Sequence, residues 1–244
     1  THNEYDQQTG ENLMKKPALL VICFTVLLFV LIAPVYASVS VESTVEDNIY
    51  IVYNFENLDS TIYNETIANP QLFNSSTIPQ IIVENLEEQN LINVNYWQPN
   101  LYYNATGTIR VSFYLNGSDI ISSALNRTTM RKTYQVKTEW RKFQVNLTNS
   151  FSIDFAQYFA EPVENWQKLN QTTYYYETPG TGFFEVLSFK LTLPEAATNI
   201  QAQGDTITYE FPPYFEDIFL NSPFLILAVL IIIIIVALIY RRVR

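Results

Sequence analysis

Two pairs of adjacent carboxylates come closest to a catalytic pattern in this chain: Glu87 with Glu88, and Glu216 with Asp217. Paired carboxylates hydrolyse glycosidic or peptide bonds when they lie a few ångströms apart and their surroundings separate their pKa values. Neighbouring residues on a strand point to opposite faces, however, and an acidic pair in a loop is usually solvated. We therefore interpret both pairs as surface charge and keep a carboxylate-dependent acid hydrolase as an alternative function.

Histidine and cysteine do not occur in residues 38–222, because the one histidine is His2 and the one cysteine is Cys23. Serine and cysteine hydrolases of the usual kinds need one of these residue types. Zinc, blue copper and haem sites take their usual ligands from the same two types. The sequence predicts no catalytic residue, no metal site and no cofactor here, and it favours a protein that is not an enzyme.

Asparagine side chains supply another kind of site. Seven sequons, with Asn two residues before Ser or Thr, occur at Asn64, Asn74, Asn104, Asn116, Asn126, Asn146 and Asn170. Each is a candidate acceptor for an N-linked glycan, which requires a surface position in a secreted region. A chain rich in Asn and Thr also forms such triplets by chance, which is the alternative. We expect a glycan coat.

The elements that must position these sites include a membrane anchor. Residues 223–240 form an unbroken apolar run, followed by Arg241, Arg242 and Arg244. As a helix this run would be about 27 Å long, close to the thickness of the hydrocarbon core of a bilayer. Basic residues stay on the cytoplasmic side. The sequence therefore predicts one transmembrane helix over 223–240, a cytoplasmic tail over 241–244 and an extracellular region before them.

The beginning of the sequence has the pattern of a secretory signal. Lys15 and Lys16 precede the apolar stretch 18–33, and Ala37 closes an A-x-A-like site. This pattern predicts a signal peptide over 14–37, cleaved between Ala37 and Ser38, with residues 1–13 as an upstream extension. The alternative is an uncleaved signal anchor. Either arrangement leaves residues 38–222 outside the cell.

Charge is distributed unevenly in residues 38–222, where nine Lys and Arg stand against 21 Asp and Glu. This acidic balance argues against a nucleic acid partner. No cation precedes Arg110, whereas six follow within a short segment, at Arg127, Arg131, Lys132, Lys137, Arg141 and Lys142. Such a segment either docks an acidic neighbour or a lipid headgroup surface, or it pairs with the acidic, cation-free half of its own fold, and we favour the second interpretation.

Apolar residues alternate with polar ones along much of this region, as in half-buried strands. The clearest run is 109–115, which Asn116 and Gly117 follow as a hairpin-turn signal. Other runs lie at 39–45, 49–55, 143–147, 187–193 and 207–211. Many short strands predict a mainly β, antiparallel β-sandwich-like domain over 38–222. Residues 152–169 have helical spacing and predict one short helix, broken at Pro162.

Aromatic residues form several groups in the same region, namely Tyr96, Trp97, Tyr102, Tyr103, Trp140, Trp166 and Tyr174–Tyr176. Exposed rings could stack on sugars or close a protein interface. Rings more often belong to the core and to sheet faces, which is the interpretation we favour.

The composition also carries a resemblance. A secreted domain without disulfides, in a chain with 16% charged residues and much Tyr, Asn, Thr and Ile, resembles the surface proteins of thermoacidophilic archaea. The resemblance covers composition and no motif. It implies an archaeal origin and an ectodomain that stays folded in acid.

Together these patterns predict a type I single-pass glycoprotein of the cell membrane. We expect it to act as a structural or accessory subunit of a membrane or cell-envelope assembly. Its expected partners are the lipid bilayer and a membrane or envelope protein. Two further alternatives are a surface module that binds carbohydrate or peptide through aromatic residues, and a viral envelope protein, which would share the same topology.

Overall fold

The computed structural model describes residues 36–126, 128–212 and 223–243. The strands in these ranges are β1 (Ala37–Val45), β2 (Ile49–Glu56), β3 (Asn95–Asn104), β4 (Thr108–Asn116), β5 (Ile121–Leu125), β6 (Lys132–Lys137), β7 (Gln144–Asn146), β8 (Ser152–Asp154), β9 (Gln167–Lys168), β10 (Thr173–Pro179), β11 (Phe184–Thr192), β12 (Thr198–Gln203) and β13 (Thr206–Phe211). The helices are α1 (Ser60–Ala68), α2 (Thr77–Glu88), α3 (Phe155–Tyr158) and α4 (Pro223–Val243), with 3₁₀ turns at Glu139–Arg141 and Val163–Asn165.

The strands form three sheets. The large sheet has seven strands in the order β3-β4-β2-β1-β11-β10-β9, the small sheet has the order β12-β13-β6-β5, and β7 pairs with β8. The prediction of a mainly β fold is confirmed. The prediction of purely antiparallel strands is wrong for the large sheet, because β1 runs parallel to β11. Alternation of apolar and polar residues shows which face a strand buries but carries no information about its direction.

One face of the large sheet, here called the core face, is covered by the rest of the domain. In β2, for example, Ile49, Ile51 and Phe55 are fully buried on this face. The core that they join also contains residues of the small sheet, such as Val136 and Ile207. The core strands predicted at 39–45, 49–55, 109–115, 187–193 and 207–211 all occur, because their alternation matches the period of a half-buried strand.

The Asn116-Gly117 turn does not form the predicted hairpin. It carries the chain from β4 in the large sheet to β5 in the small sheet, and the two strands do not pair. Gly117 passes so close to the preceding loop that a Cβ atom there would lie 1.7 Å from the Asn93 carbonyl oxygen. The glycine is therefore required by a close backbone approach at the crossover between sheets.

The helical content differs from the prediction. Residues 152–169 hold β8, the four-residue α3, a 3₁₀ turn and β9 instead of one helix ending at Pro162. Helices α1 and α2 were not predicted. Asp59 caps α1 by accepting a hydrogen bond from the Thr61 N–H at 2.8 Å. Helix α2 buries Ile78, Ile82 and Leu86 against the core, at a four-residue spacing that is typical of one helix face.

Helix α4 contains the predicted apolar run. Its segment Leu225–Arg242 has a mean hydropathy of 2.7, and its side chains are exposed. Among the described residues it is the one helix long and apolar enough to cross a membrane. Arg241 and Arg242 lie in its last turn, whereas Arg244 and all but the last residues of the predicted signal segment lie outside the described residues.

The close approach at Gly117 leads to a test of packing. We expect Gly117→Ala to lower the free energy of unfolding by at least about 2 kcal/mol, since the added methyl group meets backbone that cannot move aside. Gly182→Ala is the control, because Gly182 has a φ of 74° but nothing within 4 Å of the place that a methyl group there would occupy. Urea unfolding followed by tryptophan fluorescence measures both variants. Equal destabilisation by the two would contradict the packing argument.

Candidate functional site

The side of the large sheet opposite the core face, here called the outer face, carries aromatic residues from three adjacent strands. Tyr50 in β2 and Trp97 in β3 both lie opposite Tyr114 in β4. The Trp97 and Tyr114 rings are stacked, with centroids 5.5 Å apart and planes 10° apart. The Tyr50 and Tyr114 centroids are 4.8 Å apart. We call these three residues the aromatic ridge.

The rings of the ridge differ in their mutual orientation. The Trp97 and Tyr114 rings are nearly parallel, whereas the Tyr50 ring is tilted by 40° against Tyr114. All three ridge residues are half-buried. Tyr102 and Arg110, which lie opposite each other on β3 and β4, continue the same face, and Tyr102 is 57% exposed. The result is an aromatic surface with a cation beside it.

An acidic cleft adjoins one end of the ridge. It has a volume of about 260 Å³, and its lining includes Glu46 and Asp47 from the turn between β1 and β2 as well as Tyr50 and Tyr114. Arg110 precedes Tyr114 by four residues, which corresponds to about 13 Å along a strand. Negative and positive groups therefore lie at opposite ends of the aromatic surface.

This arrangement presents aromatic rings, tyrosine hydroxyl groups and one guanidinium group. The ridge has no side chain that acts as a nucleophile beside a base, and no group of three or more His, Cys, Asp or Glu among the described residues could hold a metal ion. Trp, Tyr and Arg are the residue types that contribute most binding energy at protein interfaces. A protein surface that covers the ring edges would bury the ridge.

The aromatic residues named from sequence lie both in the core and on the outer face, and Tyr96, Tyr103 and Tyr176 are half-buried against the core. Trp140, Trp166 and Tyr174 are buried in the core, as we favoured. Trp97 and Tyr102 lie on the outer face. Sequence reasoning missed Tyr50 and Tyr114, although both occupy the polar positions of predicted strands. An aromatic residue at a polar position of the alternation was the available signal.

The acidic pairs considered for hydrolysis are not assembled into a site. Glu87 and Glu88 are both exposed in the last turn of α2. They are neighbours on a helix, and not on a strand or in a loop. Glu216 and Asp217 lie outside the described residues.

The buried side chain of Arg141 links three segments of the domain. The Arg141 side chain is fully buried; it donates hydrogen bonds to the carbonyl oxygens of Thr138 and Glu161 and to Asp205 Oδ1, the last at 2.5 Å. Lys142 Nζ lies 2.5 Å from Asp205 Oδ2. The Arg141 guanidinium also lies over the Trp166 ring, 5.3 Å from its centroid. We call Arg141, Lys142 and Asp205 the charge clasp.

The contacts within the charge clasp affect the pKa values of Asp205 and Arg141. Burial alone would raise the pKa of Asp205, but hydrogen bonds from Lys142 and Arg141, together with their charges, hold it below its ordinary value. Burial lowers the pKa of Arg141, and Asp205 opposes that shift. The clasp holds two cations against one carboxylate, and none of its members lies on the strands of the ridge, so we assign it to stability.

The predicted cation segment pairs mainly within the fold. Arg131 contacts Glu210 at 3.2 Å, and Arg141 and Lys142 contact Asp205. Pairing within the same fold is thus confirmed for these three cations, but the expected partner region is wrong. Their partners come from the β12–β13 hairpin and not from the cation-free first part of the region. Arg127 lies outside the described residues.

The sequon asparagines lie at several edges of the domain. Asn64, Asn74, Asn126, Asn146 and Asn170 are exposed, and Asn104 and Asn116 are half-buried. Glycan occupancy stays a prediction. The predicted cleavage residues, Ala37 and Ser38, are the first two residues of β1, and cleavage also stays a prediction.

The sequons differ in the accessibility of their hydroxyl residue. In the sequons at Asn104 and Asn170, the asparagine Oδ1 accepts hydrogen bonds from the N–H and hydroxyl groups of Thr106 and Thr172, respectively. In the sequons at Asn64 and Asn146, the corresponding residues Thr66 and Thr148 are buried. Thr66 donates its hydroxyl hydrogen to the Ile62 carbonyl oxygen at 2.7 Å. Of these four sequons, only those at Asn104 and Asn170 leave the hydroxyl residue accessible after folding.

Comparisons of the chain with protein families, with curated proteins and with solved structures find no match. The geometry of the described residues is therefore the basis for a functional proposal.

The charge clasp predicts how stability depends on one carboxylate. We expect Asp205→Asn to lower the free energy of unfolding by about 3 kcal/mol at neutral pH, because it leaves Arg141 buried without its counter-ion. Glu210→Gln breaks the more exposed pair with Arg131 and should cost at most about 1 kcal/mol. Chemical denaturation measures the free energy of unfolding of both variants and of the wild type.

We expect the destabilisation caused by Asp205→Asn to depend on pH. Because the pKa of Asp205 is lower in the folded protein than in the unfolded chain, its stabilisation is present above about pH 4 and is lost as pH falls through the folded pKa. The difference between wild type and Asp205→Asn should therefore shrink in acid. A difference that stays constant down to the acid limit would contradict this assignment.

The buried sequon residues predict an order of modification. When unglycosylated, folded protein is treated with an N-glycosyltransferase, Asn104 and Asn170 should be modified, whereas Asn64 and Asn146 should not. Denatured chain should accept glycans at all four positions. Peptide mapping by mass spectrometry measures each occupancy. Modification of Asn64 or Asn146 in protein that remains folded would contradict the prediction.

Proposed function

We propose that this chain is a single-pass surface glycoprotein that serves as a structural or accessory subunit of a membrane or envelope assembly, and that the aromatic ridge binds its protein partner. The observation that carries the proposal is the placement of Tyr50, Trp97 and Tyr114 side by side on the outer face. Strand residues on the solvent side of a sheet are normally polar. Three adjacent rings there are explained by a surface that becomes buried in a complex.

The surroundings of the ridge indicate the chemistry of that partner. Glu46 and Asp47 in the adjoining cleft favour a Lys or Arg side chain of the partner, and Arg110 favours a carboxylate at the other end. The three adjacent rings fit an apolar groove. We therefore propose a partner whose surface has a groove with a cation at one end and an anion at the other.

Ring orientation favours a protein over a sugar as the bound group. A sugar stacks on an open ring face, whereas Trp97 and Tyr114 cover one face of each other. Their edges and the Tyr hydroxyl groups remain for contacts with side chains and backbone groups. The carbohydrate-binding alternative has less support from this geometry than the protein-binding one.

The proposed location rests on α4. Its apolar segment Leu225–Arg242 is long enough to span a bilayer, and Arg241 and Arg242 at its end favour a cytoplasmic position for that end. In this arrangement residues 38–222 and their sequons are extracellular. The outer face would then meet its partner at the cell surface, next to the membrane.

A single substitution in the ridge tests the proposal. We expect Trp97→Ala to reduce recovery of the partner at least tenfold when the full chain is purified in mild detergent from its own membranes, because loss of one aromatic ring that an interface buries costs about 2 kcal/mol. Quantitative mass spectrometry of the co-purified proteins measures the recovery. The unfolding free energy of the variant is measured in parallel to establish that the fold is intact.

Ile92→Ala is the matched control. Ile92 is 68% exposed and apolar but lies outside the ridge, so its truncation should leave the partner in place. A protein recovered equally with wild type, Trp97→Ala and Ile92→Ala would not be a ridge partner, and the absence of any Trp97-dependent protein would count against the proposal. Binding of wild type to a glycan array, abolished by Trp97→Ala, would favour the carbohydrate alternative instead.

A further inference from the structure

In the part of the chain that the structure describes, the two larger sheets have four edge strands, and three of them are unsuited to pairing with another chain. Strand β3 has an irregular register between Trp97 and Asn100, where Gln98 has a positive φ and Pro99 has no N–H. Strand β12 has a similar irregularity that includes Asn199. Strand β9 has only two residues. Bulges, proline and short length are the usual features that prevent sheets from joining edge to edge.

Strand β5 lacks all of these features. Its five residues, Ile121–Leu125, pair with β6 in an unbroken register. The strand contains no proline and no charged residue, and its three central positions are exposed Ser, Ser and Ala. In a chain with a net charge of −10, this neutral edge with small side chains is an unusual surface.

The hydrogen bonds to β6 show which backbone groups of β5 face its free edge. The Lys137 N–H donates to the Ile120 carbonyl oxygen and the Asn126 N–H to the Arg131 carbonyl oxygen, each at 2.8 Å. In an antiparallel pair such bonded positions alternate, so 120, 122, 124 and 126 face β6. Ser123 and Leu125 therefore direct their N–H and C=O groups toward the free edge. The sequon residue Asn126 does not.

We propose that β5 pairs antiparallel with β5 of a second copy of this chain, in a register centred on Ser123. A two-fold axis through Ser123 brings the same segment against itself, so the Ser123 N–H and C=O of each copy bond those of the other. The small neutral side chains at the three central positions of β5 add no charge repulsion at the contact. The dimer joins two small sheets into one eight-stranded sheet and leaves both aromatic ridges unused.

The register can be tested by disulfide cross-linking of the full chain in mild detergent. Opposed residues of a bonded antiparallel pair have Cα atoms about 5.5 Å apart, within the range that a disulfide spans. In a Cys23→Ser background, Ser123→Cys should form a covalent dimer under mild oxidation. Ser118→Cys, which is exposed but outside β5, should not. Equal cross-linking of both variants, or of neither, would overturn the proposal.

Two substitutions test the free edge without a thiol. Ser123→Pro removes an N–H that β6 does not use, and Ser123→Lys adds a charge to the edge. Each should weaken self-association in sedimentation equilibrium at least about tenfold. Gln71→Lys, an exposed position elsewhere, is the control for added charge. Unfolding measurements identify any variant that is misfolded. If one Ser123 variant is misfolded, the self-association of the other Ser123 variant is the test.

A protein that is monomeric at every concentration, or a dimer that survives both folded Ser123 variants, would overturn the proposal. A different protein paired with β5, revealed by loss of a co-purified chain in Ser123→Lys, would also overturn it. None of these outcomes depends on the aromatic ridge, so Trp97→Ala should dimerise like wild type.

Discussion

The parallel pairing of β1 with β11 is the interaction on which the rest of the domain depends. Seven consecutive register pairs, from Ser38 with Val186 to Thr44 with Thr192, join the β3-β4-β2 side of the large sheet to the β10-β9 side. The strands are separated by almost the whole domain in sequence, so this contact closes a long loop. Helices α1, α2 and α3, which pack on the core, lie within that loop, as do β5 and β6 of the small sheet.

The large sheet positions the side chains of both the core and the candidate site, because successive side chains of a strand point to opposite faces. In β2, Tyr53 is buried among Phe113, Phe143 and Phe155, whereas Tyr50 reaches the outer face. One set of backbone hydrogen bonds thus holds the core rings and the ridge rings in register. A change that shifted β4 by one residue would exchange the two sets.

Local sequence patterns were sufficient to predict most core strands but not the helices of the domain. Strands with strict alternation were predictable because burial on one face requires a period of two. Helices α1 and α2 were missed although Ile78, Ile82 and Leu86 have helical spacing, since neighbouring apolar residues obscured that period. The helix predicted over 152–169 was wrong because Phe155 and Phe159 are buried by contacts with distant rings and not by helix packing.

The sequence by itself determined the apolar helix, the mainly β composition of the domain, the sequons and the scarcity of catalytic residue types. These properties depend on residue type and short spacing. Tertiary structure decided the parallel β1–β11 contact, the burial of Arg141 beside Asp205, the stacking of Trp97 on Tyr114 and the free edge of β5. The physical reason is that strand order and register arise from packing between distant segments, which alternation along one strand does not specify.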